Sequence, residues 1–253
     1  LAAGDLGAAF ALDQAGAAGQ LLLALGTPAA HALLGSLHGK GTAALAAAEE
    51  GRAQDDFRTR ATRAGDGWEL TGKKAWVLHG GAADFHLVLA QVDPGQGLAG
   101  AGVFVVRQGN PGLRATKTHT TLGLQAVPLR EVVVEGAKVS AADRLDAPGT
   151  LPAVLRAHYD RLSLVTAARA VGLAHASFEY ARAYAEERTA FGKPIGHFQA
   201  IAFLVADCAT AVDAARWLVW RAASSFDAGR PATAEICLAQ SQALEAAFFC
   251  ANS

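Results

Sequence analysis

The chain has 253 residues, 52% of them apolar and 18% charged, far from the low-hydrophobicity, high-charge composition of disorder. Its 22 basic and 23 acidic side chains leave a formal net charge of -1. That excludes a general nucleic-acid binder, which needs a basic face to displace phosphate counterions. Three cysteines (Cys208, Cys237 and Cys250) form no C-x-x-C pair and read as free thiols in a reducing compartment, so a cytoplasmic protein is expected. No run of 18 apolar residues is free of charge, and no membrane span is expected. Methionine is absent altogether. The chain therefore reads either as part of a longer product or as a sequence from which modified methionines have dropped out.

In chain order, residues 1–46 are rich in Ala, Leu and Gly and read as an N-terminal helical segment. Short helices are predicted near 20–25 and 29–37. Between them Gly26 is a stop signal, Thr27 an N-cap and Pro28 the first helical residue. Residues 47–140 turn to short alternating runs between Gly, Pro and Asp, the pattern of a compact antiparallel barrel or sandwich. Predicted strands lie at 68–70, 75–78, 85–92, 102–106 and 130–135. Gly65-Asp66-Gly67 reads as a turn, and a second turn at Thr71–Lys74 is expected to join the first two strands into a hairpin. Residues 141–253 form a third, helical segment. One long helix is predicted from 153 until Gly192-Lys193-Pro194, a second from about 197 to 228 stopped by Gly229, and a third from Thr233 still running at Ser253. The expected fold class is α+β, mainly α: N-terminal helices, a middle antiparallel β domain and a C-terminal bundle.

The motifs that usually carry chemistry are missing. There is no H-E-x-x-H or Cys/His cluster for a metal, no G-x-S-x-G, no P-loop and no G-x-G-x-x-G after a strand. What stands out is the run from Tyr180 to Ile201, YARAYAEERTAFGKPIGHFQAI, together with Gly65–Trp76, GDGWELTGKKAW. These stretches, with Val205-Ala206-Asp207, Ala214-Ala215-Arg216 and Phe226–Gly229, resemble the acyl-CoA dehydrogenase family over essentially the whole chain. The resemblance implies an FAD flavoprotein that α,β-dehydrogenates an acyl-CoA thioester. It implies a homo- or hetero-tetramer that passes electrons to an electron-transfer flavoprotein or similar acceptor.

The resemblance assigns Arg188, Phe191 and Gln199 to the flavin pyrophosphate and adenine, and Trp76 to flavin stacking. Arg offers a donor fork that fits phosphate, and Gln199 stands where a helix N-terminus favours anions. Arg188 also reads as a solvated helix charge paired with an earlier acid, and Trp76 as a plain core aromatic. Tyr159 and Asp160 fall where the family meets the CoA portion of its substrate.

Departures from the family pattern are equally specific. The flavin loop is the shortened Ala48–Asp56, without Thr or Ser; Leu78 stands where a Thr bonds flavin N5; Ala190 replaces a Thr or Gln; Ser163 replaces an Arg. The family's base is a Glu in a segment beyond Ser253, and at its alternative site this chain has Leu162, so the base is expected outside residues 1–253 and no catalytic residue is assigned within them. Asp160, two residues away on a helix, faces nearly the opposite side. Three functions remain open: a dehydrogenase completed elsewhere, a non-catalytic or half-site partner subunit of a heteromeric dehydrogenase, and an acyl-CoA-binding protein that has lost FAD.

Overall fold

The computed structural model describes residues 2–39, 41–53 and 56–253. They form two compact units: Phe10–His158, and Tyr159–Ser253 with the first nine residues.

The N-terminal helices end as their sequence dictates. Helix α1 (Leu6–Leu12) is followed by α2 (Gly16–Leu25), which closes on Gly26 in the left-handed region at φ 61, its N–H donating to the Leu22 carbonyl. Helix α3 (Pro28–Ser36) opens with Thr27, whose hydroxyl accepts from Ala30 N–H at 3.2 Å. Among the described residues no single helix is long and apolar enough to cross a membrane; α1 and α2, bent by 49°, reach that test only jointly.

Seven strands then build one sheet: β1 (Ala43–Ala46), β2 (Arg60–Ala64), β3 (Gly67–Leu78), β4 (Phe85–Gln91), β5 (Ala101–Arg107), β6 (Leu113–Thr118) and β7 (Leu129–Val139). Their order is β1-β4-β2-β3-β7-β6, with β5 added against β4. Most pairings are antiparallel, as expected. Strands β1 and β2, however, meet β4 in parallel, β1 over Phe85–Val88 and β2 at Gln91. Parallel pairing needs a long crossover, and the β2–β3 hairpin between β1 and β4 supplies the length. The sheet also begins at Ala43, four residues before the expected boundary.

The turn read at Gly65-Asp66-Gly67 is in place, whereas the second one, expected at Thr71–Lys74, is not. Ala64 pairs with Gly67, so the turn is Gly65-Asp66, with positive φ (59°) at Gly65 alone, the II′ pattern. Thr71–Lys74 are not a turn but the middle of the twelve-residue β3. Gly72 is there for close approach: a Cβ would lie 2.6 Å from the Thr59 Cα. Gly72→Ala should therefore lower the urea midpoint of this unit by about 1–3 kcal/mol equivalent, the usual cost of overpacking. An unchanged midpoint would show that Thr59 yields. Inside the sheet Trp68 meets Phe104 edge-on, centroids 5.4 Å apart, among Leu70, Val77, Val88 and Val132.

The second unit is a bundle of long helices. Helix α4 (Leu151–Glu187) carries the chain into it, followed by α5 (Gln199–Asp227) and α6 (Thr233–Asn252). Gly229, at φ 67, donates to Phe226 while Arg230 N–H reaches Ser225, the paired bonds of a Schellman stop. The three helices meet on small side chains: Ala167 and Ala174, Ala215 and Ala222, Ala239 and Ala243 are all buried. The helical run is interrupted by a two-residue hairpin, β8 (Thr189–Ala190) with β9 (Lys193–Pro194), absent from the sequence expectation.

Candidate cofactor and substrate site

In the helical unit, the end of α4, the β8–β9 hairpin and the start of α5 form one continuous ledge. Ala190 pairs with Lys193, so Phe191-Gly192 is a two-residue loop. Both have positive φ, 51° and 82°, as a type I′ turn requires. Gly192 takes this conformation freely; Phe191 takes it against its preference. The loop holds the Phe191 ring 95% exposed, edge-on to Phe198 at 6.2 Å. The Arg188 carbonyl accepts from Ile195 N–H at 2.8 Å and fastens the hairpin's base.

Arg188 is exposed, and among the described residues no ion pair or hydrogen bond engages its guanidinium. The alternative in which it pairs with an earlier helix acid is not realised; Glu179 is taken by Arg182 at 2.9 Å. Gln199 is exposed as the first residue of the 29-residue α5, where unsatisfied N–H groups give the helix end a partial positive charge. The three residues expected to meet a flavin pyrophosphate thus occupy one segment. A free guanidinium, an exposed aromatic face and a helix N-terminus fit a phosphate-bearing aromatic cofactor.

Trp76 belongs to the β unit. Between Lys74 and Val77, β3 advances one residue more than β7, a bulge with Trp76 at φ 51. The indole is 49% exposed and leans over His119, centroids 6.4 Å apart and planes 35° apart. It is therefore not a core aromatic. Left-handed backbone at non-glycine residues is costly, and among the described residues two of the four instances fall on flavin candidates, Trp76 and Phe191.

Beneath the bulge lies an ion pair that sequence reading missed. Lys74, with a fully buried side chain, donates from Nζ to Glu49 Oε1 at 2.7 Å and to the Ala47 carbonyl at 3.0 Å. Glu49 Oε1 also accepts from Thr59 N–H (2.9 Å) and Thr59 Oγ1 (2.7 Å), and Oε2 accepts from Arg58 N–H at 2.7 Å. Burial pushes the Lys74 amine down to about 8, although Glu49 pulls the other way. For Glu49 burial acts upward, but Lys74 and the Thr59 bonds outweigh it and the carboxyl sits below its ordinary range. The signal was in the sequence: Trp68, Leu70 and Lys74 share one period-2 face of β3, and a lysine there needs a carboxylate. Of the expected flavin loop Ala48–Asp56, Gln54 and Asp55 lie outside the described residues.

The substrate candidates sit near the start of the helical unit. Tyr159 is half-buried, and Asp160 Oδ2 accepts from Thr233 Oγ1 at 2.9 Å, tying α4 to the first turn of α6. That bond gives Asp160 a packing role within the bundle. Leu162, Ser163 and Leu78 are half-buried and bring no acid or cation to their positions.

A family model for the acyl-CoA dehydrogenase middle domain matches residues 44–137, and one for the acyl-CoA dehydrogenase C-terminal domain matches residues 154–253. Cyclohex-1-ene-1-carbonyl-CoA dehydrogenase of Geobacter metallireducens is 37% identical over 188 residues, 74% of this chain and 50% of that protein. The structure of glutaryl-coenzyme A dehydrogenase with glutaryl-CoA superposes with a TM-score of 0.92 at 29% identity, covering 99% of this chain and 65% of that one. A chain from the structure described as an electron transferring flavoprotein of Acidaminococcus fermentans matches with a TM-score of 0.81 at 29% identity, over 86% of this chain and 58% of that one. The chain spans about half the length of the curated relatives it matches. With the bulged tryptophan, the I′ hairpin and the open helix end in place, and with both domain descriptions matched in order, the chain belongs to the acyl-CoA dehydrogenase family.

Proposed function

We propose that this chain is the part of an FAD-dependent acyl-CoA dehydrogenase that binds the cofactor's phosphates and one face of its ring. The observation that carries the reading is the Arg188–Gln199 ledge, with its unpartnered guanidinium and an aromatic ring held outward at a cost in backbone strain. When bound, the flavin supplies an acceptor for the hydride that leaves the acyl β-carbon. Arg188 would bind pyrophosphate oxygens, Phe191 would cover the adenine and Gln199 would add a polar contact at the helix end. Trp76 would lie against the isoalloxazine. Tyr159 and Asp160 would border the CoA portion of the thioester, Asp160 held in place by Thr233.

Assembly belongs to the same reading. Helix α5 exposes Phe203 and a Trp217–Trp220 pair, centroids 5.0 Å apart, and α6 exposes Leu238 and Phe248. So much exposed apolar surface supports a tetramer of this chain or of this chain with a relative, whose neighbouring subunits add flavin contacts. An electron-transfer flavoprotein or similar acceptor would reoxidise the cofactor. The buried, unpaired thiols of Cys208 and Cys250 suit a cytoplasmic setting.

A second reading has its own support. Leu78 and Ala190 remove two hydroxyl or amide contacts, each worth about 0.5–1.5 kcal/mol, and Leu162 offers no base. These losses favour a partner subunit whose active sites depend on another chain. One experiment addresses both. The purified 253-residue chain should take up FAD, read as absorbance near 450 nm, yet should not reduce an artificial acceptor with saturated acyl-CoA. A colourless protein that excludes added FAD rejects the flavin reading. Robust turnover by the chain alone makes an acid within it the base, with Asp160 the first to substitute.

A further inference from the structure

We propose that Glu49 and Lys74 are a positioning pair: their buried contact locks the stretches Ala47–Glu49 and Phe57–Thr59 onto the β3 bulge and so fixes the presentation of Trp76. The proposal rests on the flavin reading for its purpose, and on geometry for its substance.

Both members of the pair are densely bonded. Lys74 Nζ points two protons at Glu49 and the Ala47 carbonyl, and the ammonium also lies 4.6 Å from the centre of the Phe57 ring, a cation–π distance. Glu49 gathers Arg58 N–H, Thr59 N–H and Thr59 Oγ1. Four points of one loop, at Ala47, Glu49, Phe57 and Thr59, are thereby drawn to a single strand residue. Two positions further along that strand is Trp76. The residue between them, Ala75, donates its N–H to the Ala48 carbonyl at 2.9 Å. Loop and bulge are one cross-linked piece. Gly72 belongs to it as well, since only a missing side chain lets Thr59 come so close to β3.

Stability alone is a poor reason for such an arrangement. A buried ion pair gains little over well-packed apolar residues of similar volume, because two charges must be taken out of water. What apolar residues cannot do is hold a carbonyl and two amide N–H groups at fixed positions. The bulge also needs holding. Burial along Lys74-Ala75-Trp76-Val77 runs in, in, out, in, so the strand breaks its alternation to turn the indole outward at positive φ. That conformation persists only where surrounding contacts over-determine it. The ion pair, with the Ala75–Ala48 bond beside it, supplies such contacts on the two residues that precede Trp76. Neither Glu49 nor Lys74 reaches the surface that Trp76 presents; they act through it.

The test compares the full chain with two variants, Glu49→Leu/Lys74→Met and Glu49→Gln. Trypsin cleavage after Arg52 and Arg58 reads release of the loop. Acrylamide quenching of tryptophan emission, referenced to Trp76→Phe, reads the bulge. Titration with FAD reads the consequence. In the double variant the thermal midpoint should stay within a few degrees of the unaltered chain, while cleavage accelerates about tenfold, as expected when a segment's local opening becomes easier. Quenching should rise, and the apparent Kd for FAD should rise about tenfold with it, the effect of losing preorganisation. Glu49→Gln leaves the Lys74 ammonium buried beside a neutral amide, so its midpoint should fall as well; if the double variant does not fold, cleavage and quenching of this variant, compared with the unaltered chain at equal distance below each midpoint, decide the matter. Unchanged cleavage and quenching in a folded variant overturns the proposal, and so does acceleration that merely follows a fallen midpoint. Cleavage and quenching require no flavin. Failure of the unaltered chain to bind FAD therefore counts against the cofactor reading, while the role of the pair is still decided by the other two measurements.

Discussion

Between pH 6.5 and 4 the β unit should lose about 6 kcal/mol of stability, most of what a domain of its size possesses. Two histidines account for it. His86 on β4 and His158 on α4 are both fully buried, and burial pushes each imidazole down to about 4. His86 is held neutral in part by its use as an acceptor, since Nε2 takes the Gly81 N–H at 2.9 Å. In the unfolded chain both groups titrate near 6.5. Below that pH the unfolded chain binds protons that the native one refuses, so stability is complete above 6.5 and declines until pH reaches the folded values. At ~1.4 kcal/mol per unit of displacement, each histidine contributes about 3 kcal/mol by pH 4. Glu49, whose carboxyl is also held low, changes stability in the same direction at the acid end of the window. Urea unfolding followed by Trp68 emission at half-unit pH steps would measure the decline. His86→Gln, whose amide oxygen can still accept from Gly81, should halve the slope. A stability that is flat from 6.5 to 4 would mean that both imidazoles become protonated in the folded state.

The sequence disclosed the elements whose signals are local. Gly26, Thr27-Pro28 and Gly229 mark helix ends because a cap depends on two or three adjacent residues, and the structure uses each of them as read. The run from Arg188 to Gln199 was legible through its resemblance to a family motif and as a helix break at Gly192-Lys193-Pro194, while the β8–β9 hairpin within it was not. Features that depend on a distant partner were not legible. Thr71-Gly72-Lys73-Lys74 has the composition of a turn, yet it is strand, because Glu49 lies 25 residues earlier to receive Lys74, and Thr59 needs the space left by Gly72. The parallel pairing of β1 with β4 joins Ala43 to Phe85, a match that no short window contains. Nor could the exposure of Trp76 be read from its neighbours. An indole between Ala75 and Val77 looks like core, and only the extra residue in the bulge turns it outward. In this chain the local signals set the helix ends, and the non-local ones set the bulge that exposes Trp76.

Replacing Arg188 with alanine should weaken FAD binding at least about a hundredfold, since hydrogen bonds to charged groups are worth about 1.5–3 kcal/mol each and a guanidinium bound to phosphate makes two. The fold should not notice. Arg188 is exposed, and among the described residues its side chain supports no other group, so the melting temperature should stay within the small range of ordinary surface substitutions. What holds the hairpin is backbone, the Arg188 carbonyl accepting from Ile195, and alanine keeps that bond. The separation of the two readouts is what makes the substitution informative: affinity falls while stability does not. Arg188→Lys refines it. Lysine restores the charge but not the planar fork, so it should recover part of the affinity, and the part it recovers should shrink as salt is raised. Flavin fluorescence titrations of the three proteins at two ionic strengths would provide all of these values. Equal Kd values for the unaltered chain and Arg188→Ala would remove the guanidinium from the cofactor site and leave Phe191 and Gln199, two neutral side chains, to hold a dianionic pyrophosphate. A helix N-terminus carries only about half a unit charge, too little to hold two. In that outcome the ledge would have to be read as a surface for another subunit, and the exposed Phe191 ring as its anchor.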